Sequence, residues 1–238
     1  MNQTALITGA DRGLGLALCA GLLERGWQVF AGQYLPDWPE LAALQAGSAP
    51  GMLHIIPLDV GQVESAKEAV EFVGKCTDKL DLLVNNAGVT SPAMHRSIRE
   101  GQDYAEMQRL YNVNAMGPLR VVEAFLPLTD RGGLKRLCFV SSEAGSIGKA
   151  YRTAWFGYCM SKAALNMAVK TLYNHLGPEG YSFRLYHPGW MRSYMSGKKN
   201  NEADMEPEEA ARYALDYFLS ESDQALALVD YAGNEYPW

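Results

Sequence analysis

The segment Thr4 to Thr8 is a short apolar run that meets glycine at Gly9. It passes within a few residues into a helical pattern of Leu14, Leu18, Leu22 and Leu23 that stops at Gly26. A strand that turns through glycine directly into a helix is the opening half of a crossover unit, and the rest of the chain repeats the alternation. Strands are expected at Gln28 to Ala31, Met52 to Leu58, Leu80 to Val84, Arg136 to Val140, Ser182 to Tyr186 and Ala225 to Val229. Helices are expected at 62–75, from about Tyr104 to Phe125 and from about Phe156 to Leu176. Strands nearly continuous in Val, Ile and Leu, alternating with helices, describe an α/β protein. Its mostly parallel, seven-stranded sheet is doubly wound and has helices on both faces. No linker, repeat or low-complexity tract divides the chain, so 1–238 reads as a single domain.

Composition removes several classes of function. A net charge of -6 offers no basic face to a phosphate backbone, so nucleic acid is not the expected partner. The cysteines Cys19, Cys76, Cys138 and Cys159 show no CxxC spacing, and with four scattered histidines they suggest reduced thiols and no metal site. The opening MNQTALITGA has no signal-peptide pattern, and nowhere do 18 apolar residues run together. A cytoplasmic location without membrane association is the expectation.

Chemistry concentrates in a few places. Between the first strand and first helix stand Thr8, Gly9, Ala10, Asp11, Arg12, Gly13, Leu14 and Gly15. The glycines allow positive φ and close approach, and the free amides of the helix N-terminus favour a pyrophosphate. Asn85-Asn86-Ala87-Gly88 follows the fourth strand, and Tyr158 and Lys162, four apart, share one face of a later helix.

Together these motifs resemble the short-chain dehydrogenase/reductase family over essentially the full chain. The stretches Val113 to Pro118, Tyr158 to Met167 and His187 to Trp190 are similar to the branch containing C-factor and the Sniffer-type carbonyl reductases. The resemblance implies a Rossmann fold and a catalytic tetrad of Asn114, Ser142, Tyr158 and Lys162. Tyr158 would exchange the proton, with its pKa lowered by Lys162; Ser142, with Ser141 as the alternative, would hold the carbonyl; Asn114 would order a water beside the lysine. Ser142 and Tyr158 lie 16 positions apart, three more than the spacing commonest in the family, which puts an insertion in 148–157.

The resemblance also implies a cofactor site made of Gly9, Asp11, Arg12, Gly13, Leu14, Gly15, Gln33, Tyr34, Asp59, Val60, Asn86, Ala87, Gly88, Tyr158, Lys162, Pro188, Gly189, Met191 and Ser193, with Asn85 beside the adenosine ribose. Gln33-Tyr34 replaces the carboxylate that usually receives an NAD ribose, and Arg12 suits a 2′-phosphate. NADP(H) is therefore the preferred cofactor, with NAD(H) left open. Residues 192–206 read as a substrate-covering loop in which Lys198 and Lys199 either steer an anion or are simply solvated. Trp155, Phe156, Trp190, Tyr194 and Met195 favour a small apolar or aromatic carbonyl or secondary alcohol. Two alternatives stay open: a dinucleotide-binding regulatory or signalling protein with little turnover, and a ketoreductase of acyl thioesters. The helices at 104–125 and 156–176 carry more apolar and small residues than one sheet face needs, which either fill a large core or, as the resemblance implies for this helix pair, form the subunit contact of a homodimer or homotetramer.

Overall fold

The buried run Thr4–Ile7 forms the first strand, β1, of a sheet that crosses the whole molecule. The computed structural model describes residues 3–195, 197, 199–221 and 225–238, so Lys198 lies outside the described residues. Gly13–Glu24 is α1, Gln28–Gln33 β2, Glu40–Ala46 α2, Leu53–Pro57 β3, Val63–Cys76 α3 and Leu82–Asn85 β4. The second half comprises α4 (Tyr104–Tyr111), α5 (Gly117–Thr129), β5 (Arg136–Val140), α6 (Phe156–Leu176), β6 (Ser182–His187), α7 (Pro207–Phe218), β7 (Leu228–Asp230) and β8 (Glu235–Tyr236).

Among the described residues the strands form one sheet in the order β3-β2-β1-β4-β5-β6-β7-β8. The chain leaves β1 outward to β2 and β3, then returns to β4 on the other side. This order reversal between β1 and β4 opens a crevice at the carboxyl ends of the strands. The register Ile7↔Ala31 and Ile7↔Val84 places the turns after β1, β2 and β4 along that edge. Each face buries its own apolar layer. Leu18, Leu22, Val29, Leu215 and Phe218 belong to one, and Leu6, Phe30, Val73, Phe125, Phe139 and Val169 to the other. Each fully buried Leu, Val or Phe contributes about 1.5–3 kcal/mol to holding helices on the sheet.

Four sequence expectations change. Among the described residues the sheet has eight strands, because Glu235–Tyr236 returns antiparallel along β7, and β7 itself covers Leu228–Asp230 instead of Ala225 to Val229. The helix expected from Tyr104 to Phe125 is two helices joined by one π-helical turn at Asn112–Met116, and it runs on to Thr129 despite Pro127. Helix α7, whose Ala210, Ala214, Leu215 and Phe218 pack beside α1, carries an amphipathic period that the sequence reading passed over.

Candidate active site

The turn after β1 has the backbone its glycines permit. Gly9 (φ +63°) and Gly13 (φ +57°) lie in the left-handed region, which side chains with a Cβ rarely adopt. A Cβ on Gly15 would lie 2.1 Å from the Gly9 carbonyl oxygen, and one on Gly9 would lie 2.8 Å from Ala87 Cα. A Cβ on Gly13 would meet nothing within 4 Å, so the turn is packed from behind and open in front. Such a cradle at the N-terminus of α1 fits a dinucleotide pyrophosphate. Thr8 Oγ1 accepts the Asn86 and Ala87 amides, both at 3.0 Å, and Asn86 Nδ2 donates to the Thr8 and Gly9 carbonyls at 2.9 and 3.0 Å. The side chain of Asn86 thus ties the turn after β4 to the turn after β1. Asn85, buried at the end of β4, keeps both amide atoms without a partner.

Around the adenosine end of the crevice, Asp11 is buried and accepts the Tyr34 and Leu35 amides at 2.9 and 2.6 Å. Gln33 is half-buried and Tyr34 exposed. Asp59 accepts the Gly61 amide at 2.8 Å, and Val60 packs under Gly117. Arg12, just before α1, lays its guanidinium over the Trp38 ring, 4.3 Å from the centroid. Leu14 is buried in the helix. At the other end, Gly189 has φ +81°, and a Cβ there would strike the Tyr231 ring at 2.7 Å, which holds the Pro188-Gly189 turn close. Met191 pairs with Met205, and Asn200 donates its amide to the Ser193 carbonyl at 2.9 Å, so the base of the 192–206 segment folds on itself.

The four tetrad residues converge between β5, α6 and the π-helical turn. π-Helical turns recur at functional sites because they re-aim one residue of a helix. Here the turn contains Asn114, which is buried; its Oδ1 accepts the Val89 amide at 2.8 Å, and its Nδ2 donates to the Val89 carbonyl and Ser161 Oγ. Lys162 is buried, and its Nζ donates to the Val140 carbonyl at 3.1 Å. A Cβ on Gly88 would lie 3.5 Å from Asn114 Oδ1 and 3.6 Å from Lys162 Nζ, so the asparagine and the lysine meet over that glycine. The Ser141 hydroxyl turns away to Asn166 Oδ1 at 2.6 Å. Ser142 is the serine that faces Tyr158.

Electrostatics around the tyrosine differ from the expectation. Burial pushes the Tyr158 phenol up to about 12, with the Ser142–Tyr158 hydrogen bond opposing it and Glu143 reinforcing it. Burial also pulls the Lys162 ammonium down, to about 8. The lysine Nζ is 5.8 Å from the tyrosine ring centroid and is bound to a carbonyl, so desolvation of each group, rather than attraction between them, sets both shifts in this state.

The sequence reading also missed a charged cluster beside Ser142. The Ser142 hydroxyl donates to Glu143 Oε2, Arg152 pairs with Glu143 Oε1, and His187 Nε2 lies 3.8 Å from the same carboxylate. Burial works against the Glu143 charge, but Ser142, His187 and Arg152 outweigh it and hold the carboxyl below its ordinary range. Arg152 comes from the inserted stretch 148–157, and its guanidinium lies between the Tyr151 and Trp155 rings, 4.6 Å from each. The surroundings of Ser142 are therefore not purely apolar. Unusual length between Ser142 and Tyr158 was the available signal, but length alone does not show which side chain folds inward. Trp155, left-handed at φ +65°, sets its ring edge-on to Tyr158 at 6.0 Å. The carboxy-terminal residues close the other side. Ser146 Oγ donates to the Pro237 carbonyl, Gly148 N to the Trp238 carbonyl at 3.0 Å, and the Tyr236 ring stands edge-on to His187.

No group of metal-ligating side chains occurs among the described residues, and no helix there is long and apolar enough to cross a membrane. A family model described as short chain dehydrogenase matches residues 3–204. The C-signal protein of Myxococcus xanthus is 38% identical over 164 residues, 68% of this chain and 95% of the relative. The NADPH-bound carbonyl reductase from chicken fatty liver superposes with a TM-score of 0.87 at 28% identity, covering 100% of this chain and 99% of that one. The carbonyl reductase Sniffer of D. melanogaster gives a TM-score of 0.87 at 25% identity, with 100% of both chains covered.

Proposed function

The chain belongs to the short-chain dehydrogenase family and is an oxidoreductase, and from that premise we propose that it is an NADP(H)-dependent carbonyl reductase or secondary-alcohol dehydrogenase. The convergence of Ser142, Tyr158, Lys162 and Asn114 at the carboxyl edge of the sheet carries this reading. When bound, the nicotinamide supplies or accepts the hydride.

The protein's own part is proton handling and positioning. Ser142 and Tyr158 hold the carbonyl oxygen between two hydroxyls. A phenol raised by burial keeps its proton at neutral pH and surrenders it only as negative charge develops on the substrate oxygen, which suits reduction. In the reverse direction Tyr158 must first lose that proton, and a protonated Lys162 nearby favours the phenolate. Asn114 fixes the Gly88-Val89 backbone beside the lysine, where a water renews the proton.

Arg12 at the adenosine end, and the absence of a carboxylate at Gln33-Tyr34, support NADP(H), as does the NADPH carried by the chicken relative. Gly9, Gly13 and Gly15 hold the pyrophosphate, and Asp59 and Val60 flank the adenine. Met191 and Ser193 line the nicotinamide end, and 192–206 covers the substrate. Trp155, edge-on to Tyr158, favours a substrate with an apolar or aromatic body, its charged neighbours Glu143 and Arg152 being paired with each other. Small-molecule chemistry in a reducing cytoplasm fits four free cysteines, two of them buried. Exposed Tyr104, Leu119, Met160 and Met167 on α4, α5 and α6 support association into a dimer or tetramer, which light scattering tests directly.

Assays of NADPH oxidation against a panel of ketones, aldehydes and quinones test the activity. Turnover near or above about 1 per second on any member supports catalysis. Cofactor binding without turnover across the panel would instead favour the regulatory reading that similarity to C-signal suggests.

A further inference from the structure

Ser142 has already given its hydrogen away. A hydroxyl offers one hydrogen and two lone pairs. The hydrogen of Ser142 goes to Glu143 Oε2, and one lone pair accepts the Ala144 amide at 3.1 Å. What remains toward Tyr158 is the other lone pair. The neighbouring hydroxyl does not stand in, because Ser141 gives its hydrogen to Asn166 Oδ1. A carbonyl oxygen brought between Ser142 and Tyr158 therefore meets one donor, the phenol, and one opposing lone pair. An alcohol in the same place meets an acceptor for its own hydrogen.

The carboxylate that takes this hydrogen is fixed in position and kept charged. Its Oε2 also accepts the Ala144 amide at 2.9 Å, within the turn Glu143–Gly145, and its Oε1 receives Arg152 from the inserted loop. The titratable and charged groups around it are His187 of β6, Arg152, Tyr158 and Cys159 of α6, and Tyr236 of β8. Of these only Arg152 and His187 can carry positive charge. Burial opposes the Glu143 charge, but Ser142, His187 and Arg152 outweigh it. An ionised carboxylate holds a hydroxyl hydrogen roughly twice as strongly as a neutral acceptor does, so a ketone oxygen does not readily draw Ser142 from Glu143.

We propose that Glu143 is a positioning residue of this site: by taking the Ser142 hydrogen it turns an oxygen lone pair toward the substrate, so that the site receives an alcohol as it stands and a carbonyl only after Ser142 swings its hydrogen away from the carboxylate. This rests on the oxidoreductase reading above and adds to it the oxidation state of substrate that the resting site prefers. The carbonyl held between two hydroxyls is the arrangement reached once Ser142 has turned. Because a catalyst leaves the equilibrium between ketone and alcohol unchanged, the preference shows in how tightly each is bound.

The test uses the whole chain with the ketone that turns over fastest in the panel, and with its alcohol. Calorimetric titration measures the alcohol on the NADPH complex and the ketone on the NADP⁺ complex, two mixtures in which no hydride can move. Glu143→Gln and Glu143→Leu leave Ser142 without a carboxylate, and each is expected to lower the ratio of alcohol to ketone affinity by about fivefold, the worth of one hydrogen bond. Both should also move the alkaline limb of alcohol oxidation to lower pH: burial still holds the Tyr158 phenol up, but the Glu143 charge that adds to it is gone. Arg152→Met breaks the same ion pair while leaving the carboxylate on Ser142, so its affinity ratio is expected to stay near that of the wild type. A ratio or an alkaline limb left at the wild-type value in both Glu143 variants, or an equal fall of the ratio in Arg152→Met, would overturn the proposal alone. Absence of turnover across the whole panel would remove the oxidoreductase reading and the proposal together.

Discussion

Replacing Lys162 by Met separates the lysine's role in chemistry from its role in the fold. Lys162 is buried on α6 with its ammonium against the Val140 carbonyl, and burial draws it from 10.5 to about 8. The unfolded chain therefore holds this proton more tightly than the folded one. Below pH 8 the fold carries a desolvated ammonium at full penalty; between 8 and 10.5 the folded lysine is neutral while the unfolded one is still charged, so the penalty fades as pH rises. Methionine keeps the apolar stem and has no such dependence. Its loss of the Val140 contact shifts stability by a constant, so the difference in pH slope isolates the ammonium. Linkage between these two pKa values makes wild-type stability gain about 2 kcal/mol more than Lys162→Met between pH 7 and 9.5. Urea denaturation of the cofactor-free proteins at several pH values measures it. Parallel stability curves for the two proteins across that range would refute the assignment of Lys162 as a buried, desolvated ammonium. On the proposed mechanism, activity of Lys162→Met should be lost at every pH, since support for the phenolate goes with the amine.

Tyr158→Phe removes only the phenolic hydroxyl and leaves the ring to pack. The rate of hydride transfer at saturating cofactor should fall at least about 10²-fold with folding and cofactor affinity retained, and a near-wild-type rate would reassign the proton donor. Because burial raises the Tyr158 phenol to about 12, wild-type alcohol oxidation should climb with pH through the alkaline range while carbonyl reduction does not, a contrast that initial-rate profiles in the two directions will show. Gly15→Ala drives a methyl against the Gly9 carbonyl, 2.1 Å from the new Cβ; it should destabilise the fold by about 1–3 kcal/mol and weaken NADP(H) at least about tenfold in calorimetric titration. Glu143→Gln leaves Arg152 without its counter-charge and should lower stability by about 2 kcal/mol near neutral pH. Since the folded carboxyl titrates below its usual range, that deficit should shrink as pH falls through the carboxylate's folded pKa, which thermal melts in acid and neutral buffer will measure.

Periodicity and spacing made most of the architecture legible. The apolar runs of β1 through β6 and the helical face of Val63, Ala66, Val70 and Val73 are local patterns, and local patterns survive without knowledge of partners. The glycine turn was legible for the same reason: Gly9 and Gly13 need positive φ whatever surrounds them. Strand β8 was not legible, since two residues, Glu235 and Tyr236, hold no periodicity and become a strand only because β7 presents an open edge. Nor could the sequence show that Asn114 would sit in a π-helical turn, because a continuous helical pattern does not reveal where one residue is to be re-aimed.

The tetrad residue types were present in the chain, but their electrostatic state came from burial. An i,i+4 tyrosine and lysine on a solvated helix would attract freely, whereas here each is desolvated and the lysine has found a carbonyl, so Tyr158 rises and Lys162 falls. The same holds for Glu143, Arg152 and His187, drawn from the turn after β5, the inserted loop and β6, and for Arg12, Trp38 and Tyr194, drawn from three turns up to 182 positions apart. Backbone preferences depend on a residue and its near neighbours, so a sequence records them. Charge states and contacts across a crevice depend on which distant groups exclude water from one another, and only the folded chain brings those groups together.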